Sequence, residues 1–184
     1  FPLAYSALSL AALAWLIVAA GRAPFVPLWN WAPWQLYVPL VAMLPVCLIL
    51  ALAIARPNPF SFGGALNAKF DPACPGIVRL HCHPLLLALA LWATAHAVPN
   101  GDLAHLILFC TFAIFAILGT RLVDRRRQRE MGDTWQKLRS EVARTPLWPP
   151  SLTGDDALRL VAGLLLYATL IWLHPALIGV SPLP

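Results

Sequence analysis

The chain has 184 residues, of which 60% are hydrophobic and 11% charged, against about 25% charged in an ordinary soluble domain. That composition excludes a soluble globular domain and a disordered chain, and the 18 Pro and 10 Gly follow no collagen-like period. The net charge of +5 does not indicate nucleic acid, because 9 of the 13 Lys and Arg lie between Arg121 and Arg159, which reads as a membrane-topology signal.

A bilayer core about 30 Å thick takes roughly 20 apolar residues per helix, and five runs approach that length. The first, about 3–20, has no basic segment before it and so does not read as a cleaved signal peptide. The chain opens on Phe1 rather than Met, from which a further helix upstream is expected. The second run, about 36–55, contains Pro39 and Pro45, which should bend it. The third, about 84–98, is long enough only if its helix starts at Pro84, a residue suited to the first helical position, with Arg79 and His83 at the interface. Pro99-Asn100-Gly101 then makes a tight turn into Asp102, an N-cap for the fourth run, about 102–120, so these two runs form an antiparallel hairpin. Beyond it, Asp124-Arg125-Arg126-Arg127 leads to Trp135, Leu138 and Val142 at helical spacing. That segment reads either as an amphipathic helix on the inner leaflet or as a solvated loop. The fifth run, about 158–178, carries Pro175, which leaves the Ile171 carbonyl without its usual donor. The fold class expected is all-α, a polytopic membrane helical bundle of about five transmembrane helices with a cytoplasmic amphipathic segment.

Arg56, Lys69 and Arg79 lie between runs two and three and nine more basic residues follow run four, so 12 of 13 fall on one side and only Arg22 on the other. Positive residues stay inside, which places loops 56–83 and 121–157 in the cytoplasm and the 99–101 turn and C-terminus outside. Polar groups in a bilayer are costly, so the five His are informative. His81 and His83 sit at the cytoplasmic mouth of run three, whereas His96, His105 and His174, from three different helices, share the outer level. Neutral imidazoles at one level suit a haem or a metal ion. His83 and His96 are 13 residues apart, roughly 20 Å along a helix, too far to share one iron, whereas His96 with His105 fits across the hairpin. Cys110 follows His105 by five residues, about 140° around the helix, and so points elsewhere.

Trp92 lies one turn before His96, and Ala90, Ala93, Thr94 and Ala97 form a stripe of small residues for close helix approach. His105, Phe109, Phe112 and Ala116 share one face, as do Gly163, Tyr167, Leu170 and His174. Two readings follow: an aromatic-lined pocket with imidazoles at its outer rim, or interfacial histidines that meet water and headgroups. The four Cys show no C-x-x-C spacing, although His81-Cys82-His83 with Cys74 nearby is a candidate soft-metal site.

Arg79-Leu80-His81-Cys82-His83-Pro84, then Leu91-Trp92-Ala93-Thr94-Ala95-His96, Asn100-Gly101-Asp102-Leu103, Phe109, and Asp124-Arg125-Arg126-Arg127 with Gly132 and Trp135 together resemble the NnrU family. These are bacterial integral membrane proteins associated with denitrification and nitric oxide metabolism, similar to the haem b-dependent plant cis-ζ-carotene isomerase. The resemblance implies an NnrU-like membrane domain over 1–150, followed at 151–184 by a C-terminal helix and short outward tail. It also implies a place in the bacterial inner membrane, haem b as cofactor, and His96 as ligand to its iron. The family's other expected histidine lies on a helix upstream of this chain's first run; without it, His105 or His174 would serve. The family's usual Arg-His-Pro is here Cys82-His83-Pro84. Arg-His-Pro also occurs in isoprenylcysteine and phospholipid methyltransferases, so a second reading is an S-adenosylmethionine-dependent enzyme using His83. A third is a non-enzymatic assembly factor with a basic docking segment. The partners expected are the lipid bilayer and a lipid-soluble substrate such as a polyene, with no nucleic acid.

Overall fold

The computed structural model describes residues 2–62, 66–147 and 153–183, and among these it is helical with no strand. Six helices follow in order: α1 (Pro2–Arg22), α2 (Tyr37–Ala53), α3 (Pro84–Ala97), α4 (Leu103–Met131), α5 (Asp133–Arg144) and α6 (Gly154–Ile178). The five apolar runs correspond to α1, α2, α3, α4 and α6. Three segments, Pro33–Ala53, Leu103–Met131 and Gly154–Ile178, are long and apolar enough to cross a membrane, while Ala7–Arg22 and Pro84–Ala97 are shorter apolar helices. Trp15, Phe115, Leu165 and Trp172 all face outward. In water such a surface would drive aggregation; in lipid it is the solvated face.

The main helices pack as a row, α6 on α2, α2 on α3, α3 on α4, and α4 more lightly on α1. Lipid supplies no hydrophobic drive between helices, so close van der Waals packing through small residues has to hold the row. Ala88, Ala93 and Ala95 of α3 are buried, with Ala93 against Phe109 and Ala113 of α4. The expected stripe is therefore partly corrected: Ala93 and Ala97 belong to the contact, but Thr94 faces out and its hydroxyl donates to the Ala90 carbonyl at 2.8 Å. On the other flank, a β-carbon at Gly163 of α6 would lie 3.1 Å from the Leu48 Cα and 3.2 Å from the Cys47 carbonyl oxygen, so only glycine admits α2 this closely.

Pro45 and Pro175 lie inside helices as expected. Pro39 does not bend α2, because the helix begins at Tyr37 and places this proline in a first turn that needs no N–H from it. Pro84 takes the first turn of α3, with His83 as its N-cap. Asp102 caps α4, accepting from the His105 N–H at 3.2 Å. The connection from α1 closes over this hairpin: Leu28 N–H donates to the Gly101 carbonyl at 2.8 Å and Trp29 Nε1 to the Val98 carbonyl at 3.0 Å.

The opposite end gathers the basic residues. α4 runs to Met131, well past the expected end near 120, because Arg126 and Arg127 pair with Glu130 along its surface. It stops at Gly132, whose φ of +56° suits glycine alone, and α5 starts at once. α5 is the amphipathic helix, but its apolar face is not free for the leaflet. Trp135, Leu138 and Val142 pack on Phe60, Phe70 and Val78 of the 56–83 loop. Arg127 donates to the Ser61 carbonyl at 2.6 Å, Arg79 to the Thr145 carbonyl at 2.7 Å, and Arg56 bridges Asp155 and Asp156. Arg159 donates to the Ala51 and Ile54 carbonyls, capping the end of α2.

Two stability changes are expected. Gly163→Val should cost about 1–3 kcal/mol by overpacking against Leu48, read as a lower Tm in detergent, while Gly154→Ala, with nothing within 4 Å of its β-carbon, should leave Tm unchanged. Phe60→Ala should cost about 3–5 kcal/mol and free α5, read as faster amide exchange across 133–144.

Candidate functional site

The ionisable side chains collect at the two ends of α3. At the outer end, the Gly163 and Tyr167 face of α6 is turned to α2, where the Tyr167 hydroxyl donates to the Leu40 carbonyl at 2.9 Å. His174, seven residues beyond Tyr167, lies two turns further along that face.

The three outer histidines have one feature in common. His96 Nδ1 lies 2.8 Å from the Trp92 carbonyl, His174 Nδ1 2.8 Å from the Val180 carbonyl, and His105 Nδ1 2.7 Å from Asp102 Oδ2. Those oxygens only accept, so each Nδ1 carries the proton and each neutral ring presents its lone pair at Nε2. An oxygen holding the far nitrogen is also the usual support behind a metal-ligating histidine. His105 has a structural use for its partner, since both Asp102 oxygens are spent on it, and no hydrogen bond or ring contact joins it to His96 among the described residues. Trp92 lies 5.3 Å from His96, 5.5 Å from Phe109 and 5.7 Å from Phe112 between ring centroids, a packed cluster on the α3–α4 seam. His96 sits on it, 5.8 Å from Phe109.

Among the described residues no group of three or more His, Cys, Asp or Glu side chains is placed to hold a metal ion. That removes the His81-Cys82-His83 and Cys74 metal site: His81 Nδ1 is occupied by the His83 N–H at 3.0 Å, and Cys74 is an exposed free thiol. A haem iron is less demanding, because the porphyrin supplies four donors and the protein only one or two axial ones. Among the described residues neither His96 nor His174 has a partner at Nε2, so either ring could supply such a donor.

At the basic end His83 is 2% exposed. Its Nε2 donates to Asp124 Oδ1 at 3.0 Å, and Arg139, stacked over Trp135 at 4.9 Å, lies 3.5 Å from the same oxygen. His83 Nδ1 is buried with no partner. The ring forms part of the wall of a cavity of about 310 Å³ between the 78–83 segment, α4 and α5. Burial holds the His81 imidazole below its usual range and lifts the Cys82 thiol above its own, so both are uncharged at neutral pH. Asp124 and Arg139 escape a reading of the sequence because α4 was expected to end before Asp124. Its position as the one acid heading a run of three Arg is the signal that was there to use.

The NnrU protein family matches residues 1–182. No curated protein and no solved structure matches the chain. The match takes in all six helices and both ends of α3, from the His83-Pro84 cap to His96 and the Asp102 cap of α4. Its length, together with the apolar helices it covers, places the chain in the NnrU family of membrane proteins.

Proposed function

We propose that this chain is a haem b protein of the bacterial inner membrane, with loops 56–83 and 121–157 in the cytoplasm. It would serve nitrogen-oxide metabolism or the isomerisation of a lipid-soluble polyene. The observation that carries the reading is the pair His96 and His174: imidazoles from two helices, each held at Nδ1 by a backbone carbonyl and with no partner at Nε2 among the described residues. His96 would hold the iron, with His174 as the second ligand, while His105 stays on Asp102. When bound, haem supplies a redox-active iron whose axial position can be exchanged.

This chain's own residues do the rest. The Trp92 carbonyl holds the His96 tautomer. Trp92, Phe109 and Phe112 close the α3–α4 side of His96 to water. Pro175 lies one residue after His174 inside α6, where the missing backbone donor gives the last turn room to move. The methyltransferase reading through His83 draws less support: of the two Glu in its loop, Glu130 and Glu141, the first is held by Arg126 and Arg127. The docking reading is weakened by α5, whose apolar face is covered.

Full-length protein purified in maltoside and mixed with equimolar haem should show a Soret band. His96→Ala should weaken haem binding at least tenfold while leaving the far-ultraviolet circular dichroism unchanged. A wild-type protein with no Soret band, or a His96→Ala protein that binds as well, would sink the reading.

A further inference from the structure

The cavity beside His83 is independent of anything His96 holds, since it lies at the other end of α3, roughly 20 Å away. Its charges do not cancel. Arg79 and Arg139 bring two guanidinium groups to the wall against the single carboxylate of Asp124, and that carboxylate is already shared between His83 and Arg139. Arg79 spends Nε on the Thr145 carbonyl, and its two terminal nitrogens have no partner among the described residues. His83 is also the N-cap of α3, and its side chain makes no capping bond, so the positive end of the helix dipole opens at the same place.

The second observation is the buried Nδ1 of His83. With Nε2 donating to Asp124, Nδ1 is either a lone pair in want of a donor or, on the charged ring, a proton in want of an acceptor. Leaving such an atom unpaired costs about 1–3 kcal/mol. A ligand that suits the wall must be anionic.

We propose that this cavity binds a phosphate-class oxyanion, free or as the monoester headgroup of a lipid, held by the terminal nitrogens of Arg79 and by Arg139. Guanidinium groups favour the class because their paired N–H groups match two phosphate oxygens. The volume of about 310 Å³ stands at the small end of ligand sites and is enough for a phosphate monoester. Thr120 lies in the same wall, at the level where the apolar part of α4 gives way to Arg121, which is where lipid phosphates would lie. Cys82 and His81, the remaining titratable groups of the wall, are uncharged and do not compete for the anion.

The test uses the full chain in phosphate-free maltoside micelles, titrated by calorimetry with inorganic phosphate and, separately, with dihexanoyl phosphatidic acid. At least one of them should saturate a single site, and Arg79→Gln and Arg139→Gln should each weaken it at least tenfold. Both substitutions lie outside the transmembrane packing and keep the variants folded if His83→Ala is not. Saturation by inorganic phosphate identifies a free oxyanion site; saturation by phosphatidic acid alone identifies a headgroup site. If neither saturates, or if both Arg variants bind like the wild type, the proposal is overturned.

Discussion

Everything at both ends of α3 depends on how closely α4 lies along it. Four pairings run down one antiparallel seam: His96 against Phe109, Ala93 against Ala113, Leu86 against Gly119, and His83 against Asp124. Small residues in the middle let the backbones approach, and that approach fixes the register at the ends. The seam explains why α4 needs its length. A helix that stopped at the membrane boundary would leave His83 without its carboxylate.

The two ends are finished differently because their surroundings differ. The outer end is closed by backbone and caps, with the 26–29 segment bonded to the hairpin turn and Asp102 spent on His105. The basic end is closed by side chains, chiefly Arg56, Arg79, Arg127 and Arg159, which reach carbonyls and carboxylates across loop, α5 and α6. Arginine suits this work because its charge is permanent and its several N–H groups serve more than one acceptor. The segregation of charge that sets topology thus also holds the loops together.

The apolar helices, the Asp102 cap and the Pro84 start were legible in the sequence, because each rests on local pattern. What could not be read are the places where one element answers another. Pro39 looked like a kink until the start of α2 was known. The apolar face of α5 looked lipid-bound because its cover, Phe60 and Val78, comes from a loop with no periodic pattern. The aromatic faces near His96 were legible as faces, but the packing of Trp92 on Phe109 and Phe112 was not, since ring packing across a seam depends on register. The Asp124 pairing with His83 was hidden by an end assigned to α4 from hydropathy alone, when ion pairs carry the helix onward.

The proposed haem site rests on His96 and His174 holding the same group. Electron paramagnetic resonance of the ferric haem complex tests it most directly. The account predicts a low-spin spectrum from two imidazoles, converted to high-spin by His174→Ala and unchanged by His105→Ala. A low-spin spectrum that survives His174→Ala, or one lost on His105→Ala, would contradict it.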